Sequence, residues 1–174
     1  WKHRRQRQMC IRDRCYSKKM NDVDILKKIE KKVLWLACWM IHNANHIREN
    51  QDGLKVGGHQ ASSASIVSIM TALYFSILRP EDRVAVKPHA SPVFHAIQYL
   101  SGLQTKEKIE NFRGLGGAQA YPSRTKDIDD VDISTGSVGL GVAMTSFISL
   151  IQDYIARKQF YKNKPLGRMI ALVG

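Results

Sequence analysis

The stretch Met169-Ile170-Ala171-Leu172-Val173, which runs into Gly174 at the end of the sequence, decides the expected fold. A short apolar run that ends at a glycine is typical of a buried strand. In sheets that bind nucleotides and diphosphates, the residues just beyond such strand ends carry the chemistry. We therefore expect the chain to be a fragment of a longer protein, cut at its own active site.

Length and composition favour one domain with a real core, since the chain has 174 residues and is 44% hydrophobic. The net charge is +12, of which residues 1–20 account for +7. This stretch has no helical or strand period, and Met20 would make a natural start. We expect 1–20 to be a disordered or non-native basic tail, with a nucleic-acid or membrane arm as the alternative, and 21–174 to form the domain.

Targeting signals and cysteine chemistry are both weak in this sequence. Arginines interrupt the apolar segment that a secretory signal needs, and no stretch is long enough for a membrane span, so we expect a soluble, cytoplasmic protein. Cys10, Cys15 and Cys38 are too few and too badly spaced for a disulfide framework. We expect Cys38 to lie in the core.

From residue 21 onwards the sequence alternates helical and extended patterns. Apolar spacing predicts helices over 23–50, 66–77, 93–100 and 142–160, with a surface helix over 105–113. Extended patterns predict strands over 83–87, 131–134 and 168–173. The last helix should turn these residues inward: Phe147, Ile148, Ile151, Tyr154 and Ile155. This order predicts an α/β fold, a mostly parallel sheet flanked by helices.

Three loops should meet at the strand ends of this sheet. The first contains Gly57, Gly58, His59 and Ser62, the second His89 and Ser91, and the third is the glycine loop, residues 135–141. Glycines let backbone N–H groups approach a phosphate, helix N-termini favour anions, and histidines add donors. The loops therefore predict a pocket for an anionic ligand such as a diphosphate.

Ordinary structural roles remain open for each of these residues taken alone. The glycine loop departs from the dinucleotide-binding pattern and could be a simple turn, the histidines could be loop or core residues, and the serines could cap helices. His42 and His46 have a zinc-compatible spacing but no evident third ligand. We expect His95, inside a helix, to serve packing.

Four segments in this order resemble the N-terminal domain shared by transketolase and the homodimeric first component of pyruvate dehydrogenase, which are thiamine-diphosphate enzymes of the transketolase superfamily. They are Val56-Gly57-Gly58-His59-Gln60-Ala61-Ser62, Lys87-Pro88-His89-Ala90-Ser91-Pro92, Ser134-Thr135-Gly136-Ser137-Val138-Gly139-Leu140-Gly141 and Ala171-Leu172-Val173-Gly174. The resemblance implies the thiamine-diphosphate-binding fold.

The resemblance also implies roles for individual residues. His59 would line the cofactor and substrate pocket, and His89 would contact the diphosphate side of the cofactor, which makes both catalytic candidates. The cofactor-binding residues would be His59, Ser62, His89, Gly136, Ser137, Val138 and Gly139.

The resemblance further implies Mg²⁺, held by a motif of which Gly174 would be only the first residue, so no metal ligand is expected in this chain. The full-length protein would be a homodimer whose partner subunit supplies an activating glutamate, and we expect no turnover from this polypeptide alone. The substrate would be a small keto acid or a ketose. The segments at Gly58 and His89 favour a 2-oxo acid, as in pyruvate dehydrogenase, whereas the glycine loop favours two-carbon ketol transfer, as in transketolase.

Two other functions remain possible. A basic module without enzyme activity could bind nucleic acid through its tail and through Arg124 and Lys126, although the charge outside the tail is modest. The chain could also be a half-subunit that completes its site with a separately encoded partner.

Overall fold

The computed structural model describes residues 22–49, 53–160 and 165–174. The predicted tail at 1–20 lies outside these residues. The elements in chain order are α1 (Asp22–His42) with a π-helical turn (Asn43–Ile47), α2 (Gln60–Ala64), α3 (Val67–Ala72) with a second π-helical turn (Leu73–Ile77), β1 (Arg83–Ala85), a 3-10 turn (Pro88–Ala90), α4 (Ser91–Leu100), α5 (Lys106–Glu110), α6 (Leu140–Arg157) and β2 (Met169–Ala171).

The described strands form a small parallel sheet. Val84 of β1 pairs with Ile170 of β2, and α6 packs on both strands. Parallel strands require a crossover connection, and α6 lies on that connection. The strands predicted near 83 and 168 are therefore confirmed, although they are shorter than expected. Helices around a small parallel sheet are compatible with the predicted α/β class.

The core lies between α1 and α4. The inner face of α1 contributes Val33, Leu36, Ala37, Met40 and Ile41, all buried. Residues 91–98 of α4 are buried on every side, which is the pattern of a helix enclosed in a core. This packing fixes the start of α4, and with it the turn that carries His89.

Asp82 joins the two strands at their amino ends. Its buried carboxylate accepts hydrogen bonds from the backbone N–H groups of Arg79 (2.9 Å) and Arg168 (2.7 Å) and from the Arg168 guanidinium (2.6 Å). Burial alone would raise the pKa of Asp82, but the hydrogen bonds from Arg168 and the backbone outweigh it and hold the pKa well below its ordinary value. One carboxylate therefore fixes where β2 begins beside β1.

The predicted strand over 131–134 is wrong. Val131 and Ile133 are buried, but residues 131–134 form no strand. The Asp132 carboxylate accepts the N–H of Val84 (3.1 Å) and so occupies a position where a third strand would pair. The segment runs beside β1 through side-chain hydrogen bonds rather than a backbone ladder.

The inward face predicted for the last helix is also wrong. Phe147, Ile151 and Tyr154 are each more than half exposed, Ile148 and Ile155 are half-buried, and Thr145 is the residue of α6 that is buried. Apolar spacing identifies a face of a helix but not what covers it. The helix itself begins and ends within three residues of the prediction.

Other differences are smaller. The helix predicted over 105–113 ends at Glu110, and Ile109 and Phe112 near its end are buried rather than on the surface. Cys38 is half-buried, not in the core. Within the described residues, no helix is both long and apolar enough to cross a membrane.

Candidate anion site at the carboxyl end of the strands

The two predicted catalytic histidines lie side by side. His59 immediately precedes α2, His89 lies in the 3-10 turn that follows β1, and their ring centroids are 4.7 Å apart. Both side chains are exposed. The first two predicted loops therefore meet, although the histidines are 30 positions apart in sequence.

Ser63 ties these loops together. Its buried hydroxyl donates to the backbone carbonyl of His89 (2.8 Å). The predicted ligand residue Ser62 is half-buried in α2. Neither Ser62 nor Ser91 caps its helix, since His59 and Ala90 occupy those positions.

The first loop is built around a glycine turn held by Asn45. The Asn45 side chain donates to the carbonyl of Gly57 (2.9 Å) and accepts from its N–H (3.0 Å). Gly58 has φ +131°, and a Cβ there would lie 2.9 Å from Ile41. A glycine is therefore required where the chain turns toward His59.

The glycine loop reaches the same end of the sheet. The Thr135 hydroxyl donates to the carbonyl of Val86, just beyond β1. Residues 136–139 are exposed, and Gly139, with φ +79°, leads into α6. The backbone N–H groups of Ser137, Val138 and Gly139 have no acceptor within the described parts of the chain. They are available to an anion at the start of an 18-residue helix.

Lys87 was missed by the sequence analysis. A Cβ built on Gly174 would lie 3.0 Å from its ammonium nitrogen, so Lys87 lies where both strands end. Its position directly after a strand and two residues before His89 was the available signal. The cluster of His59, His89, Lys87 and free loop N–H groups contains donors and positive charge suited to an oxyanion.

A zinc site at His42 and His46 finds no support in the described structure. The rings are exposed and 4.9 Å apart, beside a cleft also lined by Lys55 and Gln60. No cysteine, aspartate or glutamate among the described residues completes a three-ligand set with them. Arg124 and Lys126 are exposed, as a nucleic-acid contact would require, but the basic tail lies outside the described residues.

His95 was expected to serve packing, but both of its ring nitrogens also lie at hydrogen-bond distance from other residues. It is fully buried, with Nδ1 2.7 Å from the Asp129 carboxylate and Nε2 2.8 Å from the Gln119 carbonyl. No local pattern could reveal partners 34 and 24 residues away in sequence.

Several curated proteins are similar to this chain in sequence, and those compared here carry the same name. The chain is 29% identical over 145 residues to the pyruvate dehydrogenase E1 component of Mycobacterium tuberculosis, covering 77% of this chain and 15% of that protein. It is 29% identical over 148 residues to that of Pseudomonas aeruginosa (80% and 16%) and 26% identical over 129 residues to that of Escherichia coli K12 (69% and 14%). No family model matches. The chain thus spans about one seventh of the length of these relatives.

Proposed function

We propose that this chain forms the diphosphate-holding part of a thiamine-diphosphate-dependent enzyme that cleaves a carbon–carbon bond next to a carbonyl group, with 2-oxo acid decarboxylation as the reaction. The observation that carries the proposal is the meeting of His59, His89 and the glycine loop beyond the ends of β1 and β2. The relatives named pyruvate dehydrogenase E1 component support a 2-oxo acid over a ketose.

The residues present fit the diphosphate of the cofactor. Exposed N–H groups of Ser137, Val138 and Gly139 precede α6, where the partial positive charge of a helix N-terminus favours an anion. His89 and Lys87 add side-chain donors on the β1 side of the same edge. These residues would hold the diphosphate between the two strand ends.

When bound, the cofactor supplies the carbanion nucleophile and the electron sink of the reaction. The protein contributes position and charge. The ring of His59 lies beside that of His89 and is exposed, so its imidazole nitrogen can hold or deliver a proton at the substrate oxygen. Ser63 fixes the backbone of His89 and thereby the direction of that ring.

Mg²⁺, a second subunit and the remaining catalytic groups belong to the proposal as well. The resemblance assigns the magnesium ligands to residues that follow the position of Gly174, and the activating glutamate to the partner subunit of a homodimer. We therefore expect the complete enzyme to turn over a 2-oxo acid and the 174-residue chain alone to show no turnover.

Replacing His89 with alanine should weaken thiamine diphosphate binding by about 1–3 kcal/mol, because one donor to a charged acceptor is lost. The measurement is calorimetry with thiamine diphosphate and Mg²⁺ on the polypeptide encoded by the whole reading frame that contains this chain. Arg157→Ala, at an exposed cation at the end of α6 opposite the glycine loop, is the control and should bind normally. Equal affinities in wild type and His89→Ala would remove His89 from the diphosphate site.

The same polypeptide distinguishes the two substrate classes. We expect it to release CO₂ from a 2-oxo acid faster than it transfers a two-carbon unit from a ketose phosphate. The reverse preference would assign the chain to the transketolase reaction.

A salt titration tests the nucleic-acid alternative. A chain that starts at Met20 should bind DNA weakly, because most of the excess positive charge precedes that residue. Tight binding with a steep loss of affinity between low and high salt would instead indicate contacts to the phosphate backbone and favour the binding module.

A further inference from the structure

A buried charge cluster surrounds His95 of α4. Its ring packs edge-on with the rings of Phe94 (5.5 Å between centroids) and Phe112 (6.1 Å) and has no exposed surface. One ring nitrogen faces the Asp129 carboxylate and the other faces the Gln119 carbonyl. A carbonyl and an ionised carboxylate only accept hydrogen bonds, so both ring nitrogens must carry protons to satisfy them. The geometry is that of a buried imidazolium.

Asp129 is held from a second side as well. The side-chain amide of Gln104 donates to the same carboxylate oxygen (3.0 Å), while the other oxygen is buried without a partner. An ionised carboxylate in such a place needs a positive neighbour. His95 is the group that meets this need.

Asp127 holds the backbone next to the His95–Asp129 pair. Its two carboxylate oxygens accept the N–H groups of Gln119 (3.1 Å) and Ser123 (2.7 Å). Atoms of His95, Asp127 and Asp129 lie within 4.8 Å of one another, a spacing that could suit a metal ion. However, backbone donors occupy the oxygens of Asp127, and the Nδ1 of His95 lies at hydrogen-bond distance from Asp129. The cluster is arranged around a proton rather than a metal.

The cluster lies at the start of the route to the candidate site. Residues 119–134 are here called the connecting segment. Its first residue, Gln119, contacts the His95 ring through its carbonyl, and the segment ends at the glycine loop. Along the way Asp132 accepts the N–H of Val84, and the segment ends beside Thr135, which donates to Val86. Within the described residues, the segment has no β-ladder to hold it, so side-chain contacts set its path.

We propose that His95, protonated on both ring nitrogens, is the positioning residue that holds the connecting segment against α4 and thereby sets the place of the glycine loop. A neutral ring would leave a nitrogen lone pair facing an oxygen lone pair and would release the segment. The role of the loop in diphosphate binding rests on the function proposed above, but the positioning by His95 does not.

The pH dependence follows from the charges around the ring. Burial would lower the pKa of His95, but the hydrogen bond and charge of Asp129 outweigh it, with smaller contributions from the Gln119 carbonyl and Asp127, and the pKa lies above its ordinary value of 6.5. Asp129 and Asp127 are the charged groups that face the ring within the described residues. The segment is therefore held most firmly below pH 6.5, the ordinary histidine value, and is released as pH rises through the raised pKa.

Nitrogen-15 spectra of histidine-labelled wild-type chain test the charge directly and need no variant. Below pH 6.5 we expect His95 to show protons on both ring nitrogens, both slow to exchange with water. A neutral ring, with the proton on Asp129 or with a bound metal ion in its place, would overturn the proposal. No thiamine diphosphate is present in this experiment, so its outcome is independent of the proposed function.

Limited trypsin cleavage tests the positioning. Arg124 and Lys126 are exposed within the connecting segment, whereas Lys31 lies in α1 and reports general unfolding. Relative to cleavage at Lys31, we expect His95→Gln to speed cleavage at Arg124 and Lys126 about tenfold or more. The wild type should show the same rise as pH increases through the pKa of His95.

His46→Gln makes the same substitution at an exposed histidine and should leave the cleavage pattern unchanged. If His95→Gln does not fold, the pH dependence of the wild type remains as the test. If the rate of cleavage at Arg124 and Lys126 stays in constant ratio to the rate at Lys31 at every pH, His95 does not hold the segment.

Discussion

Replacing Asp82 with asparagine is expected to destabilise the fold by about 2–4 kcal/mol, because an amide cannot accept all the hydrogen bonds that the carboxylate receives. Its partners are the N–H groups of Arg79 and Arg168 and the Arg168 guanidinium. The backbone bonds dominate this cost, since the Arg168 side chain is 45% exposed and its charge is screened by water. Denaturant unfolding of wild type and variant measures the difference.

The stabilisation that Asp82 provides should decrease only toward acid pH. Because the pKa of Asp82 is lowered in the folded state, its contribution is fully present above the ordinary aspartate value near 3.8 and is lost as pH falls through the lowered pKa. The gap between wild type and Asp82→Asn should therefore narrow in strong acid. Arg79→Gln is the control: its exposed guanidinium lies 3.5 Å from Asp82, and its loss should cost less than about 1 kcal/mol. An Asp82→Asn variant as stable as Arg79→Gln would contradict this account of the strand junction.

Replacing Phe94 with alanine should destabilise the chain by about 3–5 kcal/mol, because a large cavity would open in the buried core. Phe94 is 1% exposed and packs edge-on against Tyr74, with ring centroids 6.1 Å apart. The loss should appear as a lower midpoint of denaturant unfolding.

The matched control makes the same change on the surface. Phe147 of α6 is 63% exposed, so Phe147→Ala should cost less than about 1 kcal/mol. A loss as large as that of Phe94→Ala would mean that the apolar face of α6 is covered in solution and would contradict the burial described here.

Sequence patterns predicted the parts of the fold that depend on neighbouring residues. The strands at 83 and 169 and the helix at 140 were predictable because apolar runs, prolines and glycines mark them locally. The strand at 131–134 failed for a tertiary reason, since Asp132, not a backbone ladder, takes the N–H of Val84. The alternation of apolar residues at 131 and 133 is the same whether a backbone carbonyl or the Asp132 side chain accepts the N–H of Val84.

The candidate site was predictable to a similar extent. His59 and His89 lie on loops that were predicted to meet, and the structure places their rings 4.7 Å apart. The Thr135 hydroxyl brings the start of the glycine loop to Val86, just beyond β1. Ser63 and Lys87 were missed because only the packing shows which of two adjacent serines is buried and where a lysine side chain ends. The apolar face of α6 was wrongly assigned to the core, because a helical period shows which residues share a face but not whether other parts of the chain pack on it.

The central claim is that His89 and the glycine loop hold the diphosphate of thiamine diphosphate with His59 beside them, and a crystal structure tests it most directly. The sample is the polypeptide from the whole reading frame, crystallised with thiamine diphosphate and Mg²⁺. We predict a His89 ring nitrogen about 2.7–3.2 Å from a diphosphate oxygen, with the N–H groups of residues 137–139 facing the same group. A diphosphate bound elsewhere, with His59 and His89 beyond hydrogen-bond reach of the cofactor, would contradict the account.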